Sequence, residues 1–63
     1  MKLYELKRGD KIKVDEGLIT FDHIDGMYSY CTVDWSHTNG TDSVIHLAAS
    51  TELAKVGDNY EIV

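Results

Sequence analysis

The sequence predicts one small all-β domain, and three observations lead to this prediction. Runs rich in β-branched and aromatic residues recur along the chain, and Asp-Gly and Asn-Gly turn dipeptides separate them. Short segments near both ends alternate apolar with polar residues, which is the period of a strand. With 63 residues and 43% hydrophobic composition, the chain has room for a single globular domain, which we expect to span residues 1–63.

The clearest predicted element is a hairpin whose strands cover residues 18–24 and 27–33, on either side of Asp25-Gly26. Asp-Gly between two β-rich runs is typical of a type I′ turn, because both central residues of that turn need positive φ. The cross-strand pairs that this turn predicts are Ile24 with Met27 and His23 with Tyr28.

A third strand is predicted over residues 44–49, and Asn39-Gly40 marks the turn that leads to it. The three runs should then form an antiparallel meander. The second turn predicts that Trp35 pairs with Val44 and that Asp34 pairs with Ile45.

Residues 9–14 and 57–63 each begin with Gly-Asp and continue in alternation, which predicts a short strand at each end of the domain. Before the last strand, Ser50 or Thr51 offers a helix cap and Gly57 offers a terminator, which predicts one short helical turn. The predicted order is strand, hairpin of two strands, strand, helical turn, strand.

This order resembles the SH3-like small barrel, through residues 7–14, the central meander and residues 53–63. The resemblance implies a small five-stranded barrel with one short helical turn before the last strand. Residues 21–31 and 46–49 also resemble short uncharacterised proteins encoded by bacteriophages, which implies an accessory protein acting inside a bacterium. The chain lacks the ALYDY-like segment and paired tryptophans of signalling SH3 domains, so binding of proline-rich peptides is not implied.

Because side chains alternate across a strand, the predicted register divides the meander into two faces. The first comprises Ile19, Phe21, His23, Tyr28, Tyr30, Ile45, Leu47 and Ala49. The second comprises Leu18, Ile24, Met27, Cys31, Val33, Trp35, Val44, His46 and Ala48. Both faces are largely apolar, which has two interpretations: the strands curl so that both contribute to the core, or one face is a contact surface.

A contact surface would use aromatic and methionine side chains as anchors, since these are enriched at interfaces. The candidate partner-binding residues are His23, Met27, Tyr28 and Trp35. The expected partner is a protein of the bacterial host or a second copy of this chain in a homo-oligomer.

Catalytic and metal chemistry have little support in the sequence. His23, Cys31, His37 and His46 lack zinc-site spacing, and the register places His23 and Cys31 on opposite faces. Cys31 lies mid-strand among neutral residues, which favours a buried, unreactive thiol. The glycines form no phosphate-binding motif. We therefore expect no enzyme, no metal site and no cofactor.

The charge distribution disfavours nucleic acid as a partner. The net charge is −5, and five of the six basic residues lie within the first 13 positions. We interpret that basic cluster as a solvated strand edge guarded by lysines. Two alternatives stay open: an acidic mimic of nucleic acid, and a small nucleic-acid binder that uses residues 7–13 together with stacking on Tyr28 and Tyr30.

The expected compartment is the cytoplasm. A single cysteine excludes an internal disulfide, and no apolar stretch approaches the roughly 20 residues that cross a bilayer. The first residues form a mixed polar run rather than the apolar region of a secretion signal. We expect a protein that contacts no membrane and acts, if it is viral, in the cytoplasm of the bacterial host.

Overall fold

The computed structural model describes residues 1–34 and 43–63. Within these ranges six strands form one mixed sheet, which confirms the all-β class. The strands are β1 (Lys11–Val14), β2 (Gly17–Asp25), β3 (Tyr28–Val33), β4 (Val44–Ile45), β5 (Leu53–Val56) and β6 (Asn59–Ile62). Their order across the sheet is β4-β3-β2-β1-β6-β5, and β1 runs parallel to β6 while the other neighbours are antiparallel.

The helical turn predicted before the last strand is wrong, because β5 occupies that position. Its ladder with β6 runs from Leu53 opposite Ile62 to Val56 opposite Asn59. Gly57, interpreted as a helix terminator, instead opens a two-residue hairpin turn at φ 63°, which a glycine adopts without steric cost. The described helix is a single 3₁₀ turn near the start of the chain, at Leu3–Glu5, and the strands number six rather than five.

The predicted register of the first hairpin is also wrong. Asp25 lies opposite Tyr28, so the turn is Gly26-Met27 rather than Asp25-Gly26. Gly26 has φ 66°, and no described residue other than glycine has positive φ. A glycine first among the two central residues is typical of a type II′ turn, not of the expected type I′. The pairs His23–Tyr28 and Ile24–Met27 therefore do not form, and His23 lies opposite Tyr30 instead.

A bulge in β2 explains why the sequence suggested two apolar faces. Phe21 lies opposite Cys31 but His23 lies opposite Tyr30, so Asp22 is an extra residue in β2. The extra residue reverses the alternation, and Phe21 and Ile24 both pack on the core although they are three positions apart. Apolar residues from both predicted faces, such as Phe21 and Ile24, thereby contribute to the core on one side of the sheet. Met27, Tyr28 and Val44 stay exposed.

The pairing between β3 and β4 differs from the prediction by three residues. Ile45 lies opposite Cys31 rather than Asp34, and Val44 lies opposite Thr32 rather than Trp35. This register brings Ile45 against the core beside Cys31, where it is shielded from water. Trp35 and the predicted Asn39-Gly40 turn lie outside the described residues.

Within residues 1–34 and 43–63 the core consists of seven buried side chains, which come from the 3₁₀ turn and the residue after it, β1, β2, β3 and β5: Leu3, Leu6, Ile12, Ile19, Phe21, Cys31 and Leu53. The described strands do not close into a barrel, and β4 and β5 are the edges of the sheet. The first residues of the chain bond to the segment that runs from one edge towards the other. Tyr4 N donates to Ala49 O at 3.1 Å, and Leu53 N donates to Met1 O at 2.7 Å.

Candidate protein-binding surface

The hairpin of β2 and β3 presents a group of rings on the side of the sheet opposite the core. Beyond the bulge, Ile24 and Ser29 turn inwards, so that their neighbours along each strand turn outwards. The outward group, called the aromatic surface below, comprises His23, Tyr28, Tyr30 and His46, and the exposed Met27 directly precedes Tyr28 at the turn. The bulge at Asp22 creates this surface, because without the extra residue His23 would lie on the same face of the sheet as the buried Phe21.

Three of the rings form a row across neighbouring strands. The rings of His23 and Tyr30 stack with centroids 4.7 Å apart and an interplanar angle of 7°. On the far side of Tyr30, His46 meets it edge-on, at 4.4 Å and 84°. Both geometries are favourable for aromatic pairs, so the row holds Tyr30 in a fixed orientation.

Hydrogen bonds fix the two imidazoles at the ends of the row. His46 Nδ1 donates to the Ser29 carbonyl oxygen at 3.1 Å, and His23 Nδ1 donates to Asp22 Oδ1 at 2.8 Å. Arg8 also contacts Asp22 Oδ1, at 3.1 Å. The hydrogen bond from His23, together with the positive charge of Arg8, holds the pKa of Asp22 below its ordinary value.

Next to this row, Tyr28 is much less covered. Its neighbour on one side is Asp25 and on the other is Ala48, to which it is bridged. Tyr28 is 56% exposed, and Met27 at the turn is 80% exposed. An open cleft of about 390 Å³ lies between Tyr28 and this row, and it is lined by Asp25, Tyr28, Tyr30 and His46.

Of the four predicted partner-binding residues, His23 and Tyr28 lie on this surface and Met27 lies at the turn that precedes Tyr28. Trp35 lies outside the described residues. The four candidates were selected by residue type, and Tyr30 and His46 were not among them. The predicted register placed Tyr30 with His23 and Tyr28 but put His46 on the other face, and the observed pairing of β3 with β4 brings His46 to Tyr30.

Three of the five basic residues near the start of the chain form ion pairs with described residues. Lys2 Nζ lies 3.0 Å from Glu52, Arg8 lies 3.1 Å from Asp22, and Lys11 Nζ lies 2.7 Å from Asp34. The interpretation of this segment as a strand edge is wrong, since β1 lies inside the sheet between β2 and β6. Its position there follows from the parallel pairing of Ile12 with Tyr60.

Cys31 lies in the core with no exposed surface, and its Sγ is 3.5 Å from the Ser29 hydroxyl. Burial raises the pKa of the Cys31 thiol, which disfavours the reactive thiolate. Cys31 faces the core and His23 the opposite side, so these two side chains share no site. Among residues 1–34 and 43–63, no cluster of three or more histidine, cysteine or acidic side chains has the arrangement of a metal site.

The part of the chain that the structure describes contains no helix long and apolar enough to cross a membrane. Comparison of the sequence and the structure with protein-family models, curated proteins and solved structures gave no match.

Proposed function

We propose that this chain is a non-catalytic protein-interaction module, a bacteriophage accessory protein that binds and modulates a protein of the bacterial host. The observation that carries the proposal is the aromatic surface. Its rings stand on the side of the sheet away from the core, and Tyr28 and the neighbouring turn residue Met27 are mostly uncovered. Tyrosine and methionine are side chains that protein interfaces favour. The phage origin rests on the resemblance of residues 21–31 and 46–49.

The rigidity of the surface supports the proposal further. Tyr30 is held between two histidines, and each histidine is fixed by its own hydrogen bond. Side chains that are already ordered lose little conformational entropy when a partner binds, which favours affinity. Met27 lies in a two-residue hairpin turn, directly before Tyr28, and not in a long loop.

The chain offers a matched control for testing this surface. Tyr4 is 57% exposed and lies in the 3₁₀ turn, where it is not part of the aromatic surface, whereas Tyr28 is 56% exposed and belongs to it. Tyr28→Ala and Tyr4→Ala therefore remove the same side chain with the same exposure from two places. Immobilised wild-type protein and both variants should be incubated with bacterial lysate, and the captured proteins should be quantified by mass spectrometry.

The proposal predicts a host protein that wild type and Tyr4→Ala retain and Tyr28→Ala loses. If every captured protein responds equally to the two variants, the aromatic surface is not the binding site and the proposal fails. Sedimentation of the purified chain tests the other expected partner, a second copy, since a dimer built on this surface would dissociate in Tyr28→Ala but not in Tyr4→Ala.

The dependence on salt separates this function from the two nucleic-acid alternatives. An apolar and aromatic interface predicts affinity that changes little with ionic strength and a negative heat-capacity change. A nucleic-acid mimic predicts a steep loss of partner binding as salt rises. Retardation of DNA or RNA in a gel at low salt would instead favour the nucleic-acid binder, against which the ion pairs of Lys2, Arg8 and Lys11 argue.

We also infer an SH3-like organisation for the domain. The support is the long, bulged β2 that pairs with both β1 and β3, and the N-terminal segment that bonds to residues 49–53 between the two sheet edges. An experimental structure tests this inference: an SH3-like barrel predicts that backbone hydrogen bonds through residues 48–52 join the β4 edge to the β5 edge. Edges that stay separated by solvent would contradict it.

A further inference from the structure

We propose that the cleft between Tyr28 and Tyr30 binds the guanidinium group of an arginine side chain presented by the partner. The inference rests on the proposed function, because it names the chemical group that the aromatic surface recognises. Three features of the cleft carry it: two tyrosine rings, a carboxylate at the rim, and an acidic protein around them.

The tyrosine rings provide the first part of the site. The cleft is lined by Tyr28, Tyr30 and His46, and the face of an aromatic ring attracts a cation through its quadrupole. Tyr28 is bridged to Ala48, whose small side chain leaves the ring accessible, whereas Tyr30 is already contacted by His23 and His46. Tyr28 is therefore the ring over which an incoming cation stacks.

The Asp25 carboxylate provides the second part. Asp22, Asp34 and Glu52 each have a cationic side chain within 3.1 Å. Asp25 is exposed, lines the cleft and makes no salt bridge within residues 1–34 and 43–63. A carboxylate beside an aromatic ring matches a cationic ligand in both charge and shape.

Arginine fits this combination better than lysine does. Its planar guanidinium stacks on an aromatic face while its edge donates two parallel hydrogen bonds to a carboxylate. An ammonium group is compact and strongly hydrated, so it gains less from stacking. The net charge of −5 additionally attracts a basic partner surface over long range.

The test uses a small probe of the arginine side chain, Nα-acetyl-arginine methylamide, and its neutral isostere, Nα-acetyl-citrulline methylamide. The ring resonances of Tyr28 and Tyr30 are followed by NMR while each compound is added to the full chain. We expect saturable shifts with the arginine compound, with a Kd on the order of 10 mM, and no saturable shifts with the citrulline compound.

Two variants separate local recognition from general electrostatics. Asp25→Asn should weaken binding of the arginine compound about tenfold, because it removes a charge-assisted hydrogen bond. Asp58→Asn removes the same charge at the β5–β6 turn, away from the cleft, and should leave the affinity within about twofold. The Tyr4 and Tyr28 resonances together report whether each variant remains folded.

The inference is overturned by absence of shifts with the arginine compound up to about 100 mM, by equal shifts with citrulline, or by equal weakening in the two aspartate variants. These outcomes leave the proposed function standing if a partner still depends on Tyr28. Conversely, arginine binding without any Tyr28-dependent partner contradicts the proposed function and retains the cleft as a guanidinium site.

Discussion

At the scale of single residues, Ser29 connects the core to the aromatic surface. Its hydroxyl is buried, donates to Leu47 O at 2.9 Å and accepts from Leu47 N at 3.1 Å. Its carbonyl oxygen accepts the hydrogen bond that orients His46. Ser29 N also donates to Leu47 O at 2.7 Å. The hydroxyl therefore takes the place of the Ser29 carbonyl oxygen as the acceptor for Leu47 N, beyond the end of β4 at Val44–Ile45.

Ser29→Ala should lower the free energy of unfolding by about 1–3 kcal/mol, because the Leu47 N–H loses its acceptor in a partly buried position. Urea denaturation followed by tyrosine fluorescence or circular dichroism measures the change. Ser50→Ala, at an exposed position, should change stability by no more than about 0.5 kcal/mol. Equal effects at the two serines would show that the Ser29 hydroxyl has no structural role.

Asp34 gives a prediction about pH. Lys11 Nζ donates to Asp34 Oδ2 at 2.7 Å and the Thr20 hydroxyl donates to Oδ1 at 2.9 Å. The hydrogen bond from Lys11, followed by that from Thr20, lowers the pKa of Asp34 below its ordinary 3.8. Because the native pKa is the lower one, the stabilisation is fully present above pH 3.8 and is lost as the pH falls through the native pKa.

An NMR titration of the Asp34 side-chain carboxyl measures this directly. Wild type should titrate below 3.8, and Lys11→Met should move the pKa upwards towards that value. An Asp34 pKa that is the same in both proteins would contradict the assignment of Lys11 as the main cause.

At the scale of elements, the two glycine-initiated hairpin turns set the register of the sheet. Gly26 and Gly57 have φ of 66° and 63°, and each opens a two-residue turn. At Gly26 a Cβ atom would meet nothing within 4 Å, so a substitution there is opposed by the backbone conformation alone. A substitution at Gly26 therefore tests the backbone conformation of the turn without a steric clash.

Gly26→Ala should cost about 1–2 kcal/mol of stability, since a left-handed φ brings Cβ close to the following carbonyl oxygen. Gly26→Asn should cost less, because asparagine tolerates this region better. Thermal or urea denaturation of both variants gives the ranking. If alanine were tolerated better than asparagine, Gly26 would not have the positive φ on which the register depends.

Some of the strands and turns could be predicted from the sequence, and others could not. The strands around β2 and β3 were predicted because their β-branched and aromatic residues are a local signal. The position of the turn was missed by one residue, since Asp25-Gly26 and Gly26-Met27 both place a glycine centrally. The strand β5 was missed because Ser50, Thr51 and Gly57 also satisfy the rules for a helix, and only the pairing with β6 selects the strand.

The candidate residues His23, Met27 and Tyr28 were selected by residue type, which is local information. Tyr30 was placed on the predicted face of His23 and Tyr28, but His46 was placed on the other face. The pairing of β3 with β4 differs from the prediction by three residues and brings His46 to Tyr30. That pairing depends on packing against the core rather than on a local sequence signal.

At the scale of the whole molecule, stability depends on a small core to which the N-terminal segment contributes. Leu3 is fully buried, and its backbone N donates to Thr51 O at 2.9 Å. The next residue, Tyr4, is largely exposed. In a domain of this size each core side chain represents a large share of the total stability.

Leu3→Ala should therefore lower the free energy of unfolding by about 2–5 kcal/mol. Tyr4→Ala should change it by no more than about 0.5 kcal/mol, which also qualifies it as a binding control. Chemical denaturation of the two neighbouring variants makes the comparison. Similar small losses would mean that the N-terminal segment is not part of the cooperative fold.

We propose above that this molecule binds a protein partner through the aromatic surface. The most direct measurement is calorimetric titration of the captured partner with wild type, Tyr28→Ala and Tyr4→Ala. We predict that Tyr28→Ala weakens the Kd by at least about tenfold, as expected for an anchoring tyrosine, while Tyr4→Ala stays within about twofold of wild type. Equal affinities for the two variants would contradict the claim.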